Sequence, residues 1–182
     1  GVLGHSFGGS TTIGTAVSFG GTSPDPRVTA IMPVSAVVLN SFTAEQFASL
    51  NIPTMLMGGS LDTSVPVTNN QFAFDNINAN VFNVTIQGAT HTHFANICDI
   101  ANFLLDSNIA IEQWPTVGAA ALIDPYNNTC SENAFSIAES IRLQGLYSVA
   151  FFKRYIHGDR RYDVYLNSSY AATEDAITYQ EK

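Results

Sequence analysis

The chain contains few charged residues, and few positive ones in particular. Charged residues make up 12% of its 182 residues, and 7 Lys and Arg against 15 Asp and Glu give a formal net charge of −8. Nucleic-acid binding requires a basic surface, so this balance argues against a nucleic-acid partner. The basic residues near the C-terminus are interpreted as the solvated end of a helix in preference to an anion site; they are Lys153, Arg154, Arg160 and Arg161.

Long hydrophobic runs are also lacking, since no stretch approaches the ~18 uninterrupted apolar residues of a membrane-spanning helix. Hydrophobic residues nevertheless make up 46% of the chain, which predicts a packed domain and not a disordered polymer. A chain of 182 residues is long enough for one domain with a real core. We therefore expect a single domain over residues 1–182 without a transmembrane segment.

Cysteine is scarce, with Cys98 and Cys130 as the 2 examples. They are either two buried thiols or the partners of one disulfide. The abundance of Asn, Thr and Ser and the scarcity of Lys, as in many exported proteins, favour the disulfide. A disulfide implies an oxidising compartment, so we expect a secreted or periplasmic protein.

Apolar runs typical of buried strands alternate along the chain with helical patterns. We predict strands over 1–5, 28–34, 53–59 and 81–86, and helices over 8–19, 43–50, 68–76, 94–105 and 131–156. Gly145 is a candidate break in the last helix, 114–130 is predicted to be irregular, and the polar tail from Gly158 is predicted to wrap the surface.

Repeated strand–helix units imply right-handed crossovers and a mostly parallel sheet flanked by helices, which is the α/β class. In such sheets ligands bind beyond the carboxyl ends of the strands. The candidate chemical groups are therefore expected to gather at that edge of the sheet.

A nucleophile-elbow pattern follows the first predicted strand, in the sequence Gly4-His5-Ser6-Phe7-Gly8. It matches G-x-S-x-G, a strained turn that lifts a serine hydroxyl clear of the sheet. Side chains at Gly4 and Gly8 are expected to collide across so tight a turn. The Phe7 N–H comes directly after the serine and is a candidate donor to a developing oxyanion.

A serine hydroxyl becomes a nucleophile when a base removes its proton, and the base is usually a histidine oriented by a carboxylate. Asp62 lies in a loop after the predicted strand 53–59, and both His91 and His93 follow the strand 81–86. We favour His91 as the base because small residues before it leave the ring room, with His93 as the alternative. The two histidines could also be metal ligands, but no third ligand lies nearby in sequence, so no metal site is predicted.

The other histidines are predicted to be structural. His5 lies inside the elbow, and its side chain is expected to point away from Ser6 and pack beneath the turn. His157 comes at the end of the last predicted helix, where a surface position or a contact with the helix C-terminus is expected.

The chain resembles the α/β-hydrolase superfamily over most of its length. It is similar in particular to dienelactone-hydrolase-like and cutinase-like polyesterases and to relatives of platelet-activating-factor acetylhydrolase. The resemblance rests on the segments 4–9, 52–66, 88–91, 147–156 and 159–162. It implies that Ser6 is the nucleophile, Asp62 the orienting acid and His91 the base. Some relatives place Phe directly after the histidine, a pattern that fits His93 instead.

The resemblance implies a serine carboxylic-ester hydrolase that forms an acyl-enzyme and needs no cofactor. Its substrate would be a small-molecule, lipid or polyester ester. An acyltransferase or a lyase on the same fold, or a non-catalytic binding module, are the alternatives. The superfamily builds several strands before the elbow. The chain is therefore expected to be the C-terminal portion of such a domain, completed by an N-terminal segment or complementing chain that supplies the second oxyanion donor.

Overall fold

A sheet of five strands forms the centre of the computed structural model, which describes residues 1–182. The strands lie side by side in the order of the sequence: β1 (Val2–His5), β2 (Ile31–Val34), β3 (Thr54–Gly59), β4 (Val81–Ile86) and β5 (Ile177–Glu181). The first four are parallel to one another, and β5 is antiparallel to β4. The predicted α/β class with a mostly parallel sheet is confirmed.

Helices flank the sheet and connect its strands. They are α1 (Phe7–Gly14), α2 (Ala44–Ala48), α3 (Thr68–Asn76), α4 (Ile97–Asp106), α5 (Ile123–Thr129), α6 (Ile137–Tyr155) and α7 (Ser168–Ala171). Short 3-10 helices cover His91–Phe94, Ile111–Val117, Ala120–Leu122 and Arg160–Tyr165. None of these helices combines the length and the apolar character that crossing a membrane requires.

The sheet divides the core into two layers. Met55 and Met57 of β3 lie in the cluster that includes α6 residues, whereas Leu56 lies on the opposite face with residues of α1, α2 and α3. Every residue of β3 is buried, which explains why this strand reads as a continuous apolar run. The larger side chains of the α6 layer are Phe82, Leu143, Tyr147 and Phe151, and those of the other layer are Ile13, Ile31, Phe47 and Phe74.

Several element boundaries differ from the predictions. Helix α1 ends at Gly14 and does not reach Phe19, β2 begins at Ile31 and not at Val28, and α6 runs unbroken through Gly145. The Ser136 hydroxyl caps α6 by accepting from the Glu139 N–H at 3.3 Å. The start of that helix is therefore fixed by a cap that lies inside the predicted span.

The prediction that 114–130 is irregular is wrong, because this segment is largely helical. Trp114 is fully buried, and its ring packs edge-on against Tyr126 with 5.4 Å between the ring centroids. The Trp114 indole N–H donates to the Ile109 carbonyl at 3.1 Å. The segment therefore folds around its own aromatic centre, which a turn-rich composition does not reveal.

The prediction that the tail wraps the surface misses β5, which pairs with β4 from Ile86↔Ile177 to Phe82↔Glu181. The strand presents only Ile177 and Tyr179 to the core, so its sequence is mostly polar. The three arginines of the basic cluster before it are paired with acids: Arg154 and Arg160 contact Asp163, and Arg161 contacts Asp159. Lys153 is exposed and forms no ion pair. This arrangement agrees with a solvated helix end.

Cys98 and Cys130 form a disulfide, with 5.5 Å between their Cα atoms. The preferred alternative for the two cysteines is therefore confirmed. Cys98 belongs to α4, and Cys130 directly follows α5. The bond thus ties the helical segment around Trp114 to α4, the helix that follows the 3-10 turn His91–Phe94.

Removing this disulfide is expected to lower the free energy of unfolding by about 3–4 kcal/mol, since it closes a loop with a sequence separation of 32 residues. Urea unfolding of a Cys98→Ser, Cys130→Ser variant measures the loss. The oxidised wild type should shift by the same amount when a reductant is added, whereas the variant should not respond. Equal midpoints for oxidised and reduced wild type would contradict the expectation.

Candidate active site

Ser6 occupies the turn between β1 and α1, with φ 57° and ψ −123°. Positive φ is uncommon for residues other than glycine, so the serine backbone is strained. The Ser6 N–H donates to the Val34 carbonyl at 2.9 Å, which fixes the turn to the end of β2. The predicted elbow geometry is therefore present at the carboxyl end of the sheet.

The elbow requires glycine at position 4 but not at position 8. A Cβ atom on Gly4 would lie 2.2 Å from the Gly8 carbonyl oxygen, whereas a Cβ atom on Gly8 would meet no atom within 4 Å. The expectation of a collision at Gly8 is wrong because that position of α1 faces open space. Gly9 is the closely packed residue instead, because a Cβ atom on it would lie 2.8 Å from the Ala36 Cβ.

Asp62 follows β3, and its side chain is fully buried. Its Oδ1 accepts from the Val65 N–H at 2.7 Å, and its Oδ2 lies 2.7 Å from His91 Nδ1. Burial by itself would raise the pKa of Asp62, but these hydrogen bonds outweigh it and hold the pKa below its usual value. The carboxyl group is therefore ionised at neutral pH.

His91 begins the 3-10 helix after β4 and lies between Asp62 and Ser6. Its Nε2 is 3.0 Å from Ser6 Oγ, and 19% of its side chain is exposed. Because an ionised carboxylate only accepts hydrogen bonds, Nδ1 carries the proton and donates to Asp62. The Nε2 lone pair then faces the Ser6 hydroxyl. The structure thus brings together the three residues that the sequence singled out.

The loops that carry Asp62 and His91 are bonded directly to each other. The Gly88 N–H donates to Ser60 Oγ at 2.9 Å, and the Leu61 N–H donates to the Ala89 carbonyl at 2.9 Å. A Cβ atom on Gly59 would lie 2.3 Å from that same Ala89 oxygen. Glycine at the end of β3 therefore lets the two loops approach closely enough for the acid and the histidine to meet.

His93 is 1% exposed and is held by hydrogen bonds at both ring nitrogens. The Thr90 N–H donates to Nδ1 at 2.9 Å, so Nε2 carries the proton and donates to the Phe135 carbonyl at 3.0 Å. Burial lowers the pKa of His93, and the contact with Phe135 opposes that shift only in part. No lone pair of the ring is free, so His93 links the loop after β4 to the residues before α6.

His5 lies against the site. The centroid of its ring is 4.5 Å from that of His91 and 6.0 Å from that of Phe94, and its Nε2 is buried without a partner. Burial and then the neighbouring His91 lower the pKa of His5, which keeps it neutral. The ring supports one side of His91. His157 follows Ile156, the residue that caps the C-terminus of α6, and is exposed, as expected.

One support of the site has no counterpart in the sequence reasoning. Thr129 is buried at the end of α5, and its hydroxyl hydrogen-bonds those of Thr90 and Thr92, the two residues that flank His91. The disulfide follows Thr129 by one residue. The only available signal was the cysteine itself, because the interpretation of 114–130 as irregular concealed the helix that carries Thr129.

A scan against protein-family models and a search of curated proteins found no match to this chain. The geometry of Ser6, His91 and Asp62 and the fold that positions them are therefore the evidence for its function.

The elbow predicts opposite effects for two glycine substitutions. Gly4→Ala should lower the free energy of unfolding by on the order of 2 kcal/mol or more, because its Cβ would meet backbone atoms that cannot move independently. Gly8→Ala should change stability by about 1 kcal/mol or less, in the stabilising direction, since alanine favours a helix. Denaturant unfolding of both variants tests this. Equal losses would show that the turn is tighter at Gly8 than described.

Proposed function

We propose that this protein is a serine carboxylic-ester hydrolase in which Ser6, His91 and Asp62 form the catalytic triad. The observation that carries the proposal is the continuous chain of hydrogen bonds from Asp62 Oδ2 through the His91 ring to Ser6 Oγ, at 2.7 and 3.0 Å. Its protonation pattern is the one that nucleophilic catalysis by serine requires. An ionised acid holds the Nδ1–H tautomer, and the opposite nitrogen accepts the serine proton.

In the first half-reaction, Ser6 Oγ attacks the ester carbonyl carbon while its proton passes to His91 Nε2. The new Oγ–C bond gives a tetrahedral intermediate with a negative carbonyl oxygen. The Phe7 N–H is in the first turn of α1, where backbone N–H groups have no partner within the helix, and it is a donor for that oxygen. The C–O bond to the alcohol then breaks, and the alcohol leaves with the proton from His91.

In the second half-reaction, a water molecule gives a proton to His91 Nε2 and adds its oxygen to the acyl carbon. The bond from that carbon to Ser6 Oγ breaks, and His91 returns the proton to Ser6. The acid is released and the enzyme is regenerated. Asp62 remains ionised throughout and stabilises the imidazolium that forms in each half-reaction.

The proposal also includes the fold family, the type of esterase and the cellular compartment. The order of strands and of triad residues supports an α/β-hydrolase fold, and the resemblance supports a cutinase-like or dienelactone-hydrolase-like esterase. The disulfide supports export to an oxidising compartment, because such bonds are rare in the cytosol.

A fluorophosphonate probe tests the nucleophile. The wild type should be labelled on the peptide that contains Ser6 and should hydrolyse p-nitrophenyl acetate. Ser6→Ala should lose the label and lower kcat by on the order of 10³-fold or more. Ser41→Ala is the matched control, since Ser41 is exposed and far along the chain from the elbow. Labelling that survives Ser6→Ala would refute the mechanism.

Substitution of His91 should affect activity, whereas substitution of His93 should affect stability. His91→Ala should abolish labelling and turnover in a folded protein, since Ser6 then has no base. His93→Ala should instead lower the melting temperature, because it leaves the Thr90 N–H and the Phe135 carbonyl without their buried partner. Below its melting temperature that variant should still react with the probe. The roles would be reversed if folded His93→Ala were inert and His91→Ala were labelled.

A further inference from the structure

A cavity of about 390 Å³ opens beside His91, between the loop after β3, the loop after β4 and α5. Its volume falls within the range of small-molecule sites, roughly 300–1,000 Å³. Seven of its nine lining residues have polar side chains, the exceptions being Leu61 and Pro125, and carbon atoms make up slightly more of the wall than nitrogen and oxygen atoms do. Four of these polar side chains, Thr63, Ser64, Asp124 and Asn128, make no hydrogen bond to the rest of the chain.

The polar groups of these four side chains are free to bind a ligand. Thr63 and Ser64 belong to the loop that carries Asp62, and Asp124 and Asn128 lie four residues apart on α5. All four are exposed to solvent and form neither a side-chain hydrogen bond nor an ion pair within the chain. A ligand that displaced their water without replacing the hydrogen bonds would bind poorly, so the cavity selects for a polar ligand.

The position of the cavity beside His91 relates it to the alcohol part of an ester substrate. His91 takes the proton from Ser6 and then gives it to the departing alkoxide oxygen, so that oxygen must come within hydrogen-bond distance of Nε2. The alcohol part of the substrate therefore lies against the His91 ring. His91 lines the cavity and Ser6 does not, so the alcohol would reach the cavity by extending past the His91 ring from the carbon that Ser6 attacks.

The negative charge of the cavity wall restricts which alcohols can bind there. Asp124 contributes a carboxylate, and no Lys or Arg lines the cavity. An alcohol with a phosphate or carboxylate group would be repelled, whereas hydroxyl groups can donate to Asp124 and exchange hydrogen bonds with Thr63, Ser64 and Asn128. An apolar alcohol would gain none of these hydrogen bonds.

We infer that this cavity is the alcohol subsite and that the alcohol is a neutral polyol or sugar with free hydroxyl groups. The inference rests on the proposed hydrolase function, because it takes His91 as the group that protonates the departing oxygen.

Acetate esters of different alcohols test the inference, since the acyl part is then constant. The probes are ethyl acetate, glyceryl monoacetate and a methyl glucoside acetylated at its primary hydroxyl. We expect kcat/KM for one or both hydroxylated esters to exceed that for ethyl acetate about tenfold, as one or two additional hydrogen bonds would provide. The better of the two identifies a short polyol or a sugar as the source.

Variants on α5 connect the preference to the cavity. Asn128→Ala and Asp124→Ala should each lower the ratio of kcat/KM for the preferred hydroxylated ester to that for ethyl acetate about fivefold. A general distortion of the site would lower both values together and leave the ratio unchanged. Asn127→Ala is the matched control, because Asn127 is exposed on the same helix and does not line the cavity.

The possible failures are distinguishable. If kcat/KM for ethyl acetate equals that for the hydroxylated esters, or the α5 variants leave the ratio of these kcat/KM values unchanged, the alcohol subsite is wrong and the hydrolase function stands. If no ester is hydrolysed and the fluorophosphonate does not label Ser6, the proposed function fails and the subsite fails with it.

Discussion

The buried carboxylate of Asp62 constrains the surrounding structure more than any other single group. A charge taken out of water is costly unless hydrogen bonds compensate it. Asp62 obtains them from the Val65 N–H within its own loop and from the His91 ring across the neighbouring loop. Both loops must therefore keep their relative positions for the charge to remain buried. The close contact of Gly59 with the Ala89 carbonyl shows how closely they approach.

The backbone gives opposite properties to two histidines that are two residues apart. The Asp62 carboxylate fixes the proton of His91 on Nδ1, which leaves Nε2 directed at the Ser6 hydroxyl. His93 receives its arrangement from the Thr90 N–H and directs its remaining N–H at a carbonyl. One ring thus has a free base and the other has none. The same turn both presents His91 and anchors itself through His93, so His93 supports the loop that positions His91.

Sequence patterns identified the features that depend on local chemistry. The elbow glycine at position 4, the buried run of β3 and the order of Ser6, Asp62 and His91 each have a short-range physical cause, and the structure brings those three residues together. The small residues before His91 favoured it over His93, but the physical reason that His93 has no free nitrogen is a long-range contact, its hydrogen bond to the Phe135 carbonyl. The pairing of β5 was missed because its partner strand lies far away in sequence. The helical nature of 114–130 was missed because the packing of Trp114 on Tyr126 stabilises a segment whose composition is typical of turns.

The helical segment around Trp114 connects stability to the candidate chemistry. Its last helix, α5, places Thr129 against the two threonines that flank His91, and the disulfide holds α5 to α4 directly after that contact. The exposed face of α5 supplies Asp124 and Asn128 to the cavity beside His91. One short helix therefore supports the histidine loop through its buried face and lines the adjoining space through its exposed face. On the proposed function, substitutions at Asp124 or Asn128 can alter the alcohol that is accepted while the triad is preserved, because Thr129, and neither of these residues, makes the contact with the loop of His91.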